Sequence, residues 1–311
     1  MNASPETRLD RGDAIWSPCA VCSSTNLESH LRVSGGIGSE GLIPTTDRFG
    51  TALDDIVRCL ECGHMQLARI PSSEDLRESY SEAESFDYVD EERGQRATAR
   101  RLLAEIEAVA PRGRLLDLGC WVGFLLSEAA ALGWDAVGVE PSRFASEFAR
   151  DRLGLNVRTE ELFSQSRDRG DFDVVVMADV IEHLPQPGAA LEHIKKALRP
   201  GGVIAMVLPD AGSRLARVMG ARWWSVIPTH VHYFTRSSIQ LLLAQRGYEV
   251  VRIGTAPKVF TVDYYLSRLG GYSDLLQRLA TRVARGAGVA DRLWAPDFGD
   301  RMLVIAAADR G

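Results

Sequence analysis

Apolar and polar positions alternate along the chain with two different periods, and the changes of period mark its structural elements. From position 114 onwards, short apolar runs alternate with stretches in which apolar residues recur every three or four positions. The apolar runs predict strands at 114–118, 135–139, 155–158, 172–178 and 203–208. The other stretches predict helices at 124–132, 142–152 and 188–198. Because strand and helix alternate, the sequence predicts an α/β fold with a parallel sheet covered by helices on both faces.

The segments on either side of this core have weaker patterns. Before it, apolar residues have helical spacing until Pro111, and after it a capping-box pattern opens at Ser237. Further helices are predicted at 91–110, 237–247, 261–269 and 273–285. Further strands are predicted at 248–253 and 301–308. The interval between these two strands, 254–300, is therefore a predicted helical insertion.

The composition is that of a folded globular protein, and the charge is unevenly distributed. The chain has 311 residues, with 36 basic and 42 acidic side chains and a net charge of −6. Residues 1–209 carry 22 basic and 34 acidic side chains, whereas residues 210–311 carry 14 and 8. The overall acidity excludes a generic nucleic-acid coat, which displays a basic excess. The basic C-terminal part suggests an anionic ligand, and arginines on solvated helix faces are an equally good explanation.

The N-terminal residues MNASPETRLDRGD lack the apolar stretch of a secretory signal. No apolar run reaches the roughly 20 residues that a membrane helix needs. We therefore expect no membrane span and a cytoplasmic location. In that reducing compartment, cysteines are thiols or metal ligands rather than disulfides.

Four of the five cysteines form two Cys-x-x-Cys pairs, Cys19 with Cys22 and Cys59 with Cys62. Zinc requires four tetrahedral ligands, and each such turn presents two thiolates on one side. The spacing predicts a four-cysteine zinc site, with four unconnected thiols as the alternative. A redox centre is less favoured because it would need only one pair.

A glycine-rich turn joins the first core strand to the first core helix. It runs from Asp117 through Gly119 to Gly123. Glycines at such a turn let a ligand approach the backbone at a helix N-terminus. Glu140 follows at the end of the second strand, where a carboxylate can accept both hydroxyls of a ribose. The loop alone is weak evidence, but the loop, its strand context and the acidic residue together indicate a ribose-bearing ligand.

This segment resembles motif I of class I S-adenosylmethionine-dependent methyltransferases, which reads acidic-x-Gly-x-Gly-x-Gly. Trp121 stands in place of the middle glycine and is a departure from the motif. Residues 173–184 resemble the fourth strand of that family and the turn after it, and residues 198–202 resemble the turn before its fifth strand. The resemblance covers about half of the chain. It implies a Rossmann-like seven-stranded sheet with an antiparallel last strand, and S-adenosylmethionine as the cofactor.

The resemblance also implies roles for individual residues. Gly119 and Gly123 would approach the methionine part of the cofactor, and Asp117 would hold the loop or bind the ammonium group through water. Glu140 would bind the ribose, and Asp179 would lie beside the cofactor at the end of the fourth strand. The full set of expected cofactor-binding residues is Asp117, Gly119, Cys120, Gly123, Glu140, Pro141, Glu160 (or Glu161, near the adenine), Asp179 and Tyr88.

The segment from Cys59 to Leu76 resembles the zinc-binding N-terminal region of many bacterial methyltransferases that act on sugars and natural products. This resemblance implies a structural zinc that closes a small module. We expect a zinc-ribbon-like module at 1–70, a helical linker or lid at 71–113 and a methyltransferase domain at 114–311. Tyr80, Tyr88 and the 254–300 insertion are expected to form a lid that excludes water.

Residues 223–235, WWSVIPTHVHYFT, resemble the P-x-H-x-x-Y-F-(S/T) element of bacterial methyltransferases that are often associated with glycan assembly. Aromatic faces pack on the C–H faces of sugars, and imidazoles can take a proton from a hydroxyl. The expected acceptor-binding residues are Trp223, Trp224 and Tyr233. The candidate catalytic bases are His183, His230 and His232. Each histidine could instead cap a turn, and paired tryptophans often lie in a core.

The leading hypothesis is methyl transfer from S-adenosylmethionine to a hydroxyl of a sugar, a glycan precursor or a natural product, with carbon methylation of a sugar also open. The basic C-terminal part suggests an anionic acceptor, such as a phosphate-linked sugar. A second hypothesis is methylation of ribosomal RNA, but the net charge and the lack of an Asn-Pro-Pro-Tyr type of tetrapeptide make nucleic acid an unexpected partner. A third is a non-catalytic cofactor-binding scaffold, which the departure at Trp121 leaves open.

Overall fold

The computed structural model describes residues 16–33, 49–72, 87–163 and 170–309. The strands are β1 Leu27–Leu31, β2 Ile56–Cys59, β3 Met65–Leu67, β4 Arg114–Leu118, β5 Asp135–Val139, β6 Val157–Arg158, β7 Phe172–Ala178, β8 Leu198–Pro209, β9 His232–Tyr233, β10 Tyr248–Thr255, β11 Phe260–Thr261, β12 Leu293–Trp294 and β13 Arg301–Ala308. The α-helices are Asp87–Asp90, Glu92–Glu107, Phe124–Ala131, Arg143–Leu153, Pro187–Ala197, Arg214–Met219, Arg236–Gln245, Val262–Ser267 and Asp274–Gly286. No helix in the described ranges is both long and apolar enough to cross a membrane.

Seven strands form one sheet in the order β10-β13-β8-β7-β4-β5-β6. The strands from β8 to β6 in this order pair in parallel, and β13 runs antiparallel to both of its neighbours. Alternate residues face opposite sides, so that Leu115 and Val174 lie in one core cluster while Leu116 and Val175 lie in the other. A sheet buried on both faces explains the near-continuous apolar runs in its strands. The predicted Rossmann-like seven-stranded sheet with an antiparallel last strand is confirmed.

One predicted helix start needs correction. The sequence places the capping box at Ser237, but the helix Arg236–Gln245 has Thr235 as its N-cap. Thr235 has an extended backbone, so its hydroxyl accepts a hydrogen bond from Ser238 N at 3.1 Å, and Ser238 Oγ in turn accepts one from Thr235 N at 2.9 Å. Thr235 and Ser238 thus form the box two positions earlier than the pattern predicts.

The 254–300 insertion contains both predicted helices and, in addition, the antiparallel pair β11 and β12. It is fixed to the helix Glu92–Glu107. Glu91 accepts hydrogen bonds from Thr261 N at 3.0 Å and from Thr261 Oγ1 at 2.6 Å. A Cβ at Gly94 would come within 2.5 Å of Val259 O, so only glycine permits this close approach of two backbones. The insertion is therefore a packed part of the domain.

A second sheet, in the order β1-β2-β3-β9, joins distant parts of the chain. Its first three strands belong to the predicted N-terminal module, whereas β9 lies in the segment predicted to bind the acceptor. The register pairs Met65 with Tyr233 and Gln66 with His232. The N-terminal module therefore completes its sheet with a strand from the C-terminal half of the chain.

Candidate active site

A cavity of about 1380 Å³ lies where the predicted cofactor residues and the predicted acceptor segment meet. On its glycine-loop side are the loop from Asp117 to Gly123, Glu140 and Asp179. On its insertion side are Trp224, His230 and residues of the 254–300 insertion. The carboxyl ends of parallel strands open at one edge of the sheet, which is where ligands bind in this architecture.

The glycine loop has a left-handed backbone at three positions. The φ angle is +74° at Gly119, +49° at Trp121 and +83° at Gly123. A Cβ at Gly119 would come within 2.8 Å of Val180 Cγ2, and one at Gly123 within 2.7 Å of Leu155 Cδ1. Trp121 adopts the conformation that a middle glycine would favour, at a cost of roughly 1–2 kcal/mol. The departure from the motif therefore changes the side chain but keeps the turn.

Two buried carboxylates, Asp117 and Glu140, accompany this loop, with exposed fractions of 3% and 6%. Glu140 accepts hydrogen bonds from Trp121 N at 2.9 Å and from Ser142 N at 2.8 Å, one on each oxygen, which leaves each oxygen a second lone pair. Burial raises the pKa of Glu140 to about 7. Burial and the nearby Glu140 raise the pKa of Asp117 to about 7. A cationic ligand with hydroxyl donors would satisfy both groups.

Two of the other residues expected to bind the cofactor also line the cavity, and the side chain of a third, Tyr88, lies outside the described residues. Cys120 and Pro141 line it. Glu160 does not, whereas its neighbour Glu161 does. Because β6 ends at Arg158, the turn after it carries Glu161 rather than Glu160 to the cavity wall. Glu161 is therefore the better candidate for a position beside an adenine.

The predicted lid is described only in part. Tyr80 lies outside the described residues, and so does the side chain of Tyr88. The 254–300 insertion lines the cavity through residues between Thr255 and Asp300. The role of these segments as a lid stays a prediction.

Asp179 lines the cavity at the end of β7 and is held by two cations. It pairs with Lys258 Nζ at 2.8 Å and with the guanidinium of Arg301. Although burial alone would raise the pKa of Asp179, the charges of Arg301 and Lys258 bring it below its usual range. Since Lys258 belongs to the insertion, this ion pair ties the two sides of the cavity together.

Two of the three candidate bases, His183 and His230, line the cavity, with ring centroids 4.6 Å apart. His183 Nδ1 lies 2.8 Å from Thr229 O, and His230 Nδ1 lies 2.8 Å from Ser225 O. Because a carbonyl oxygen only accepts, each Nδ1 carries the proton and each Nε2 keeps its lone pair. Burial lowers the pKa of both rings, so both are neutral near pH 7. Both can accept a proton.

His232 lies elsewhere, which corrects its assignment as a candidate base. It is 1% exposed, and its Nδ1 lies 3.2 Å from Nε2 of His64. The short strand β9 holds it against β3, outside the residues that line the cavity. A role in packing the second sheet fits this position.

Of the three expected acceptor-binding aromatics, only Trp224 lines the cavity. Trp223 and Tyr233 are 2% and 4% exposed and belong to the core of the second sheet. Trp223 Nε1 donates a hydrogen bond to Asp300 at 2.9 Å. Burial in this core removes Trp223 and Tyr233 from contact with an acceptor.

Glu182, which the sequence pattern does not single out, lies beside the two histidines although it does not line the cavity itself. It is 1% exposed, and neither of its carboxylate oxygens has a hydrogen-bond partner among the described residues. Burial, together with the charge of Asp179, raises the pKa of Glu182 to about 8. Ligand atoms of Glu182, His183 and His230 lie within 4.8 Å of one another. The signal available in the sequence is the Glu182-His183 doublet just after a buried strand.

This cluster of one carboxylate and two imidazoles is one of two in the described ranges that could hold a metal ion. Arg301 and Lys258 act electrostatically on Glu182. Their positive charges oppose a further cation at this position. The geometry permits a metal there, but the charge balance favours a proton.

The second cluster is formed by the two cysteine pairs, Cys19, Cys22, Cys59 and Cys62. The sulfur–sulfur distances are 3.6 Å for Cys19 and Cys62 and 3.5 Å for Cys22 and Cys59. Tetrahedral zinc with bonds of about 2.3 Å places its sulfurs about 3.8 Å apart. The turns also match, since Ser23 and Gly63 have φ angles of +60° and +71°. The donor set therefore fits zinc.

Known proteins are similar to this chain in sequence over its central part. A sequence model of a family described as a methyltransferase domain matches residues 91–253, slightly more than half of the chain. A ubiquinone biosynthesis O-methyltransferase of Paraburkholderia phymatum is 30% identical over 132 residues, which cover 40% of this chain and 57% of that protein. One of Cereibacter sphaeroides is 31% identical over 152 residues, covering 44% and 61%. The match thus spans little more than half the length of these relatives.

A solved structure shows the same fold. The SAM-dependent methyltransferase from Archaeoglobus fulgidus superposes with a TM-score of 0.50 at 17% identity, covering 72% of this chain and 100% of that chain. At this identity the likeness concerns the fold alone.

Proposed function

The chain belongs to the methyltransferase-domain family, and on that premise we propose that it transfers a methyl group from S-adenosylmethionine to a hydroxyl of a small-molecule acceptor. The observation that carries the proposal is a single cavity, in which two buried carboxylates and a left-handed glycine loop accompany two neutral histidines. The relatives' names support transfer to oxygen. A sugar, a glycan precursor or a natural product is the acceptor class that the sequence suggests.

The glycine-loop side fits the cofactor by charge and by shape. S-adenosylmethionine supplies an electrophilic methyl group on a sulfonium, and it also carries an ammonium group and a ribose. A cation in the cavity would favour the ionised forms of Asp117 and Glu140, whose pKa values burial raises. Glu140 keeps lone pairs for two ribose hydroxyls. Gly119 and Gly123 allow close approach to the backbone.

The histidines would take the proton that the acceptor hydroxyl loses as the new carbon–oxygen bond forms. We assign this role to His183 before His230. Burial lowers the pKa of both rings, and a backbone hydrogen bond and the charge of Asp179 oppose this effect in both. The pKa of His230 is lowered further by the neighbouring His183 and Arg301, so His183 is the more basic of the two. Glu182, within 4.8 Å, would stabilise the imidazolium when ionised.

We also propose that the four-cysteine cluster binds one structural zinc ion. The two Cys-x-x-Cys turns, here called the cysteine knuckles, lie at the end of the sheet that contains β3. Leu67 N on β3 donates a hydrogen bond to Val231 O at 3.0 Å. Val231 N in turn donates to Glu182 O at 3.0 Å. Zinc would therefore support the backbone that carries the candidate base. Elemental analysis should find one zinc per chain, and protein freshly purified without zinc would overturn this assignment.

Titration calorimetry with S-adenosylmethionine tests the function first. We expect one molecule bound per chain, and no binding would overturn the whole proposal. A screen with methyl-labelled S-adenosylmethionine then tests transfer to sugars, nucleotide-linked sugars and phenolic or polyketide hydroxyls. Label in one of these small molecules would confirm the reaction. Label only in ribosomal RNA, or binding without transfer to any acceptor, would favour the RNA enzyme or the scaffold instead.

A further inference from the structure

We propose that the acceptor is an amphiphile whose apolar, ring-bearing body lies on an aromatic wall of the cavity and whose anionic group pairs with Arg268. The aromatic wall consists of Trp224, Tyr264, Tyr265, Tyr272, Trp294 and Phe298, all of which line the cavity. The inference rests on the proposed function, because it names the acceptor class for the same cavity. It selects a natural-product-like or lipid-like acceptor over a sugar nucleotide.

Four rings of the wall, those of Trp224, Phe298, Tyr265 and Trp294, form a continuous series of contacts. The ring centroids of Trp224 and Phe298 are 5.6 Å apart, those of Phe298 and Tyr265 are 6.5 Å apart, and those of Tyr265 and Trp294 are 5.5 Å apart. All three contacts are edge-to-face. Aromatic groups in this arrangement each bring a large apolar area and leave ring faces available to a further ring. An extended ring-bearing body can therefore contact several of them at once.

Two of the three tyrosine hydroxyls of the wall are engaged with the backbone. Tyr265 Oη donates to Lys258 O at 2.7 Å, and Tyr272 Oη donates to Arg222 O at 3.1 Å. A sugar would need several hydrogen-bond donors and acceptors from its binding surface, because its buried hydroxyls must be satisfied. These tyrosines offer mainly their rings. The wall is thus better suited to an apolar body than to a sugar.

Part of the wall remains open to solvent. Trp294 is 50% exposed and Phe298 is 47% exposed. Large aromatic side chains left exposed beside a cavity mark a binding surface, because covering them removes apolar area from water. An apolar acceptor body would supply that cover.

Arg268 gives the wall a cationic group. It lines the cavity, and its guanidinium carbon lies 4.3 Å from the ring centroid of Tyr264. Burial lowers its pKa to about 10, so the guanidinium stays charged at pH 7. With five N–H donors, it can give a charge-assisted hydrogen bond to an anion placed beside it in the cavity. A sulfonate, phosphate, carboxylate or phenolate on the acceptor would have this chemistry.

The wall is built mainly outside the part of the chain that matches the family model. Five of its six residues lie beyond position 253. Phe49, whose ring centroid lies 4.7 Å from that of Tyr272 in a tilted contact, also lies outside that part. The acceptor preference therefore depends on segments that the shared methyltransferase domain does not supply.

Two fluorescent probes that share the same rings test the inference. They are 1-anilinonaphthalene-8-sulfonate, which is anionic, and N-phenyl-1-naphthylamine, which lacks the sulfonate. Each is titrated into the full chain with saturating S-adenosylhomocysteine, so that the glycine-loop side is filled. We expect one site for each probe and about tenfold tighter binding of the sulfonate, as expected for a charge-assisted contact. UDP-glucose should displace neither probe.

Variants separate the two parts of the site. Arg268→Met should weaken the sulfonate probe about tenfold and leave the neutral probe within about twofold. Trp294→Ala should weaken both probes by a similar factor. Leu275→Ala, on a side chain that is 78% exposed in the same insertion, should change neither. Unchanged S-adenosylhomocysteine affinity confirms that each variant is folded.

Two results would overturn the inference. In the first, the two probes bind with equal affinity and Arg268→Met changes neither affinity. The second is displacement of the sulfonate probe by UDP-glucose at one equivalent, which would assign the cavity to a sugar nucleotide. Neither result bears on whether the chain binds S-adenosylmethionine, so failure here is distinct from failure of the proposed function.

Discussion

The two sides of the cavity differ in how the chain builds them. The glycine-loop side comes largely from one stretch, in which β4, the loop and β5 lead directly to Glu140. The insertion side draws on distant stretches, represented by Phe49, Trp224, Tyr265 and Trp294. Local sequence specifies the first, whereas the second depends on tertiary contacts such as the pairing of β3 with β9. Cofactor binding and acceptor choice should therefore respond separately to mutation.

The largest separation is expected from the zinc site. Cys22→Ser removes one of four ligands, and structural zinc contributes on the order of 10 kcal/mol to the module that it closes. We expect loss of the zinc ion and of transfer to the acceptor found in the screen, with S-adenosylmethionine affinity kept within about twofold. Elemental analysis, turnover and calorimetry measure the three quantities.

The control for the zinc variant is Leu60→Ser, at a position that is 53% exposed and lies between Cys59 and Cys62. Parallel loss of zinc and cofactor binding would show that the two sides are one unit.

A smaller but specific effect is expected at the candidate base. His183→Ala should lower kcat by about 10²–10⁴ and leave the S-adenosylmethionine Kd unchanged. Burial lowers the pKa of His183 below 6.5. The imidazole is therefore already neutral at pH values above 6.5. With saturating cofactor, kcat of the parent should therefore fall only as pH decreases below 6.5. His193→Ala, on an exposed ring, is the matched control. A rise in KM with unchanged kcat would assign His183 to acceptor binding.

On the glycine-loop side, Glu140→Ala should raise the S-adenosylmethionine Kd about 100-fold, because two hydrogen bonds to a charged group are lost. Trp121 N and Ser142 N would also lose their acceptors. Titration calorimetry measures the change, and Glu147→Ala, on the exposed face of the helix Arg143–Leu153, serves as control. Binding of the sulfonate probe to the aromatic wall should be unaffected. An unchanged Kd for the cofactor would remove Glu140 from the site.

The smallest effect concerns pH. Burial raises the pKa values of Asp117 and Glu140 to about 7. Each carboxyl group is therefore mostly protonated at pH 6 and mostly ionised at pH 8. A cationic cofactor binds the ionised forms, and its affinity should rise by roughly tenfold between pH 6 and pH 8. Calorimetry in buffers of different ionisation enthalpy should also show proton release on binding at pH 7. A pH-independent affinity would mean that the cofactor does not contact these carboxylates.

The glycine-loop side could be predicted from the sequence because its signals are local. Asp117, Gly119 and Gly123 occupy one turn, and their backbone angles follow from residue type. Even the departure at Trp121 keeps the turn, since the neighbouring glycines and the Glu140 carboxylate fix the backbone around it.

The insertion side could be predicted only in part. His232 and Tyr233 form a strand of two residues, which is too short to show a period, and its partner β3 lies far away in sequence. Their burial therefore has no local signal. The same reason applies to Lys258 and Arg301, which meet at Asp179 although no pattern connects them. Burial of Glu182 follows from the packing of these segments as well.

The pairing of β3 with β9 also affects how the chain is made. Gln66 leaves the ribosome roughly 170 residues before its strand partner His232. At ordinary synthesis rates of about 5–20 residues per second, β3 has an open edge for roughly 10–30 s. During that interval an unpaired strand edge can recruit another chain. Early capture of zinc by the cysteine knuckles would hold β2 and β3 in register until the partner strand emerges. Zinc supply during synthesis should therefore govern how much of the protein is recovered without aggregation.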